Sequence, residues 1–177
     1  MNVFILNTGR CGSSTFIRAC QHITNYTAGH ETRAGLAGEQ RLLYPPDHIE
    51  ADNRLSWFLG RLDEEYANDA FYVHLTRDVS DTVKSFSRRE EFGIMKAYRD
   101  GILLNVKQSY TAAELALDYI HTVDANIRSF LKDKTETMDF CLATAKDDFV
   151  TFWNAVAAEG DLEKAINEWD VCYNSSD

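Results

Sequence analysis

The stretch Val3-Phe4-Ile5-Leu6-Asn7-Thr8-Gly9-Arg10-Cys11-Gly12-Ser13-Ser14-Thr15 decides the fold. Val3 to Leu6 is a short, wholly apolar run that stops at Asn7-Thr8-Gly9, the pattern of a buried strand. Helical character follows from Ser13 to about His22, with Ser13, Ser14 or Thr15 placed to cap it. A strand that feeds a helix through a Gly-bearing loop turns the loop amides and the helix N-terminus towards one point. Gly9 and Gly12 permit the backbone to come close to a ligand there. Three successive hydroxyls add donors, and the helix end adds roughly half a positive charge. Such a cradle suits phosphate or sulfate. It is not a Walker A loop, because no Lys precedes the Ser/Thr pair and the glycines are too close. Arg10 stands on the loop instead, and a guanidinium can grip two oxyanions at once. Cys11 reads as a small filler. The plainer alternative is an ordinary strand-to-helix turn with a capping Ser.

Working outward, Asn25 to His30 reads as a second short strand, and Glu31 to Asp52 as loop broken by Pro45-Pro46. Asn53 is expected to cap a helix reaching about Tyr66, since Leu55, Phe58, Leu59 and Leu62 share one face. Phe71 to Leu75 is another buried-strand run, ending at Arg77. Asp78 or Ser80 would cap the next helix, with Val79, Val83 and Phe86 inward. Part of Glu90 to Val106 is predicted helical, as are Thr111 to Lys132, Asp147 to Ala158 and Asp161 to Trp169. Met138 to Leu142 reads as a strand. Strand–loop–helix units followed by helices imply a small α/β fold with a parallel sheet and a helix-rich C-terminal part.

The second chemical motif is Arg77 with Ser85, eight positions apart. An Arg at a strand's end and a Ser on the next helix can both face one phosphate at the edge where open α/β sheets bind ligands. The simpler reading is an Arg–carboxylate salt bridge beside a solvated Ser. Arg88-Arg89 ahead of Glu90-Glu91 is most simply a charged helix end; contact with a phosphate is the other reading. Asp78 resembles a magnesium-binding Asp only superficially, given a first loop without Lys.

Composition bounds the function. The chain has 177 residues, 45% of them hydrophobic, and a formal charge of -10. That is one domain (1–177) with a real core. The negative charge argues against nucleic-acid and membrane-surface partners. The acid is concentrated in 108–177, with fourteen acidic and five basic side chains, while 77–107 carries seven basic and five acidic ones. An anion is therefore tolerated on the N-terminal half. No apolar run approaches the ~20 residues that span a bilayer, and no basic segment precedes the first apolar run, so a cytoplasmic protein is expected. Cys11, Cys20, Cys141 and Cys172 lack metal-ligand spacing and are expected to be free thiols, with no metal site.

Taken together, the two motifs resemble those of sulfotransferases that use 3′-phosphoadenosine 5′-phosphosulfate (PAPS). In that family the loop after the first strand grips the 5′-phosphosulfate, and an Arg…Ser pair eight apart grips the 3′-phosphate. Gly9, Arg10, Cys11, Gly12, Ser13, Ser14 and Thr15 look like the first, Arg77 and Ser85 like the second. The resemblance covers roughly residues 3–90. It implies a three-layer, P-loop-like α/β fold with a central parallel sheet, PAPS as cosubstrate, PAP as product and no metal. Arg10 in place of the Lys of many cytosolic members is similar to the tyrosylprotein and some carbohydrate and bacterial branches. The C-terminal Arg-Lys-Gly loop of cytosolic members is missing.

Sulfuryl transfer also needs a base for the acceptor's proton. Ala28-Gly29-His30-Glu31-Thr32-Arg33 is similar to the Gly-Glu-Glu-Thr-Arg segment of tyrosylprotein sulfotransferases, which puts Glu31 at the base and Arg33 near the substrate. His30 is the rival, since an imidazole near pKa ~6.5 suits proton abstraction at neutral pH. The match of Glu-Thr-Arg favours Glu31. Arg10 would bridge the phosphosulfate and its leaving oxygen. The acceptor is expected to be a small-molecule, glycan or peptide hydroxyl, or an amine. Competing classes are an ATP-using P-loop kinase and a non-catalytic nucleotide-binding protein.

Overall fold

The computed structural model of the chain describes residues 1–106 and 109–171. Five strands make one sheet, every pairing parallel, in the order β2-β3-β1-β4-β5. They are β1 (Asn2–Asn7), β2 (Thr27–His30), β3 (His48–Ala51), β4 (Ala70–Thr76) and β5 (Thr137–Cys141). The helices are α1 (Ser13–Cys20), α2 (Leu59–Tyr66), α3 (Val79–Ser87), α4 (Gly93–Ala97), α5 (Ala112–Leu131), α6 (Ala145–Ala155) and α7 (Leu162–Asn167).

Strand β1 takes the centre because it is apolar on both faces, as a doubly covered parallel strand must be. Val3 and Ile5 face a core built with Phe16 of α1, Phe149 and Phe152 of α6, and Ala165 of α7. Phe4 and Leu6 face the opposite core with Leu62 of α2, Phe86 of α3, and Leu115, Tyr119 and Val123 of α5. Helix α5 starts where Thr111 and Glu114 form a reciprocal capping box. Trp153 and Trp169 pack with Phe149 in the first core. Cys11 and Cys20 are buried free thiols and Cys141 is a half-buried one; Cys172 lies outside the described residues.

The sheet order positions the site. The chain leaves β1 towards β2 and leaves β4 towards β5, although β1 and β4 are neighbours. Connections that diverge from adjacent parallel strands open a crevice at the strands' C-terminal ends. The loop after Asn7 and the segment after Thr76 therefore flank one crevice.

Several expectations need correction. The segment expected to be loop, Glu31 to Asp52, contains β3, all four residues of which are buried. Its His48 and Glu50 disguise it, because a buried strand is recognised by apolar runs. The helix expected from Asn53 is two pieces, a 3₁₀ turn Asn53–Trp57 and α2, parted at Phe58. Asp52, not Asn53, caps the first piece by accepting from the Arg54 amide. Helix α1 is capped by Gly12 at φ 96, with no side-chain cap from Ser13, Ser14 or Thr15. Asp78 does cap α3, but Val79 is 40% exposed and Thr82 is buried in its stead. The helix within Glu90 to Val106 is α4 followed by one wide π turn, Tyr98–Ile102.

Candidate active site

The loop after β1 is shaped by its backbone. Gly9 (φ 88), Arg10 (φ 61) and Gly12 (φ 96) are all left-handed. Three anchors from distant elements hold its inner side. Tyr119 of α5 donates its hydroxyl to the Thr8 carbonyl at 2.8 Å. Ser56 donates to the Asn7 carbonyl at 3.3 Å and Asn53 to that of Thr8 at 3.5 Å. Burial keeps the Tyr119 hydroxyl protonated far above its ordinary range, so it remains a donor. Asn7 accepts the Gly9 amide at 2.8 Å. Carbonyls thus turn inward, while α1 begins without a side-chain cap and its Ser13 and Ser14 line the crevice, where the positive end of the helix lies. Gly12 at φ 96 holds a conformation that strains any residue with a side chain, and a Cβ there would press 2.7 Å against Leu142 Cδ1.

Arg10 joins the two sequence motifs. Its Nε donates to Ser85 Oγ of α3 at 3.0 Å. Its carbonyl accepts from Arg77 Nη1 at 3.2 Å. Arg77 also lies 4.0 Å from Asp81, so part of the simple salt-bridge reading holds alongside the loop contact. Cys11 is 1% exposed, and burial pushes its thiol up to about 12, which leaves it inert at neutral pH. Thr15 is buried too. Asp78, whose carboxyl is held low by hydrogen bonds from Ser80 and the Asp81 amide, is spent as a cap.

A cleft of about 250 Å³ opens beside this loop. The β1 loop and the start of α1 contribute Gly9, Arg10, Ser13 and Ser14 to its lining; the turns after β2 and β3 contribute His30, Glu31, Asn53 and Arg54. Phe86, Arg89 and the segment 92–95 close a third side. Ser13 Oγ and His30 Nε2 meet at 3.0 Å. Glu31 has φ 54, its amide bonds the Ala51 carbonyl, and its Oε2 pairs with Arg54 at 2.8 Å. The structure therefore brings Gly9, Arg10, Ser13, Ser14, His30 and Glu31 into one cleft, with Arg77 and Ser85 touching it through Arg10. Arg33 is turned elsewhere: its guanidinium donates to the Gln40 carbonyl at 2.9 Å and covers the Tyr44 ring.

Sequence reasoning missed Arg54 and the lining role of Asn53. Both follow β3, so recognising that strand would have placed them at the sheet's ligand edge. Arg89 had been read mainly as a helix end. Arg10, Arg54 and Arg89 give the cleft a cationic lining in a chain of net charge -10. Among the described residues no group of three or more His, Cys, Asp or Glu side chains is placed to hold a metal ion.

Over 99% of its length the chain superposes on a crystal structure of mouse sulfotransferase SULT7A1 complexed with PAP, with a TM-score of 0.54 and 15% identity. This chain has a sulfotransferase fold. It spans 61% of that sulfotransferase's length. No family model matches the sequence, and a search of curated proteins found no match. The sulfotransferase fold is thus carried by the five-stranded parallel sheet and its flanking helices. Among the described residues no helix is long and apolar enough to cross a membrane.

Proposed function

We propose that this chain is a PAPS-dependent sulfotransferase that moves a sulfuryl group to a hydroxyl or amine acceptor and releases PAP. The observation that carries the reading is the Arg10 junction, where one residue of the β1 loop contacts both Arg77 and Ser85. Two anion-binding elements, separate in sequence, thereby adjoin in a fold shared with a PAP-bound sulfotransferase.

The residues fit a molecule with two anionic ends. The α1 amides with Ser13 and Ser14 would hold the 5′ end, and Arg77 with Ser85 the 3′-phosphate. When bound, PAPS supplies the sulfuryl group: the acceptor oxygen bonds to sulfur as the bond from sulfur to the phosphate oxygen breaks. Arg10 stabilises the negative charge that gathers on the departing phosphate. Glu31 takes the acceptor's proton, with its other oxygen held by Arg54; His30, on the same rim, is the alternative base. The free thiols of Cys11, Cys20 and Cys141 suit a reducing compartment such as the cytoplasm.

Thermal-shift measurements with PAP, ATP–Mg and AMP test this reading. Ligand at 100 times its Kd stabilises by ~2.7 kcal/mol, and PAP should give the largest rise in Tm. A larger rise with ATP–Mg would assign the chain to phosphoryl transfer instead. Incubation with ³⁵S-labelled PAPS and a panel of hydroxyl and amine acceptors then identifies the product.

A further inference from the structure

Strand β3 carries a polar pair where an apolar one would be expected. Glu50 is fully buried, in register with Phe4 of β1, and His48 is 7% exposed. A buried carboxylate persists only when its oxygens are satisfied, and apolar residues of similar volume often give equal or better stability. Here the satisfaction is specific. Thr32 donates twice, its amide to Glu50 Oε1 and its hydroxyl to Oε2, both at 2.7 Å. His48 Nε2 meets the same Oε2 at 3.0 Å, and its Nδ1 meets the Thr27 hydroxyl at 2.8 Å.

Thr32 is the residue next to Glu31, and Glu31 is left-handed at φ 54. That conformation is unfavourable for a residue with a side chain and persists only where the surroundings enforce it. Gly29 clears the space: a Cβ on it would lie 2.2 Å from Thr32 Cγ2 and 3.2 Å from Glu50 Oε2. We propose that Glu50 is a positioning residue, which through its paired hydrogen bonds to Thr32 holds Glu31 in the backbone conformation that places it on the cleft rim. This rests on the sulfotransferase reading, in which Glu31 receives the acceptor's proton.

Thr32 is exposed, so Thr32→Val removes the hydroxyl bond without emptying the core, whereas Glu50→Gln disturbs the buried partner itself. The variants are compared with wild type and Thr32→Ser in three assays: PAP binding by calorimetry, turnover of ³⁵S-labelled PAPS with water as acceptor, and amide hydrogen exchange. In Thr32→Val and Glu50→Gln, kcat should fall by about 10²-fold, the effect of a small misplacement at a reacting group. The KM for PAPS and the Kd for PAP should stay within about twofold, because the cosubstrate is held by other residues. Thr32→Ser should recover kcat. Exchange at the Glu31 and Thr32 amides should rise about tenfold in the two impaired variants as the turn loosens. A Thr32→Val enzyme with unchanged kcat, or a Thr32→Ser enzyme as slow as Thr32→Val, would overturn the proposal. If wild type neither binds PAP nor consumes PAPS, the sulfotransferase reading has failed, and amide exchange decides the positioning alone. Unchanged protection at both amides would then refute it, and the tenfold rise would uphold it.

Discussion

The loop after β1 and the turns after β2 and β3 line one cleft, but they are made of different material. Glycine-enabled backbone and a helix terminus make the first, with Gly9, Arg10 and Gly12 all left-handed. Buried polar side chains make the second. Glu50 holds Thr32 on one turn, Asp52 caps Arg54 on the other, and Glu31 pairs with Arg54 between them. A backbone-made rim needs little from the rest of the chain beyond anchors for its carbonyls. A side-chain-made rim needs distant partners to be correct at once, since one missing partner leaves a desolvated group unsatisfied.

The largest expected effect falls on the second rim. Arg41 and Asp52 form an ion pair at 2.6 Å with both side chains buried. Arg41→Met removes the buried cation and leaves Asp52 only the half-exposed Arg54 at 3.9 Å, and breaking such a buried pair costs ~3–5 kcal/mol. Chemical denaturation should show that loss; a change below ~1 kcal/mol, the usual worth of an exposed pair, would mean that this rim does not depend on the pair. On the first rim the effect should appear in rate and not in stability. Arg10→Ala should lower turnover by about 10²–10³-fold, the usual cost of one preorganised donor, with Tm almost unchanged. Turnover near wild type would remove Arg10 from the chemistry.

The smallest effect lies outside both rims, on the segment beyond α3. Hydrogen bonds from Arg99 and Lys96 lower the Asp100 carboxyl from 3.8 to about 2. A depressed carboxylate adds stability that is complete above its unfolded value and is lost as pH falls through its folded value. A slight loss of stability between pH 4 and pH 2 is therefore expected to vanish in Asp100→Asn, as acid titration of the two proteins would show. Because these groups face solvent, high salt should mute it.

The same contrast explains what could be read before the structure. Val3 to Leu6 and Phe71 to Leu75 announce their strands by apolar runs, and the motif between Gly9 and Thr15 needs only local spacing. Strand β3 does not announce itself. Its Glu50 is tolerable because of Thr32, 18 residues earlier, and its His48 bonds Thr27, 21 residues earlier. Neither partnership leaves a local pattern. Arg54 was lost with β3, and the Asp52 cap with it. Arg33 was placed by its neighbours in the motif, but its side chain answers to the Gln40 carbonyl and the Tyr44 ring. Gly12 was read for its freedom and not as the cap it is, a left-handed glycine that starts α1 with no side-chain cap.

Under the proposed function, the β1 loop and the Arg77–Ser85 pair hold opposite ends of one molecule. Calorimetric titration of PAP and AMP into wild type and Arg77→Ala tests it most directly, because AMP lacks the 3′-phosphate. A charge-assisted hydrogen bond contributes ~1.5–3 kcal/mol, so wild type should bind PAP at least about tenfold more tightly than AMP, and Arg77→Ala should erase most of that preference. Equal affinities for the two nucleotides in wild type, or a preference that survives in Arg77→Ala, would contradict it.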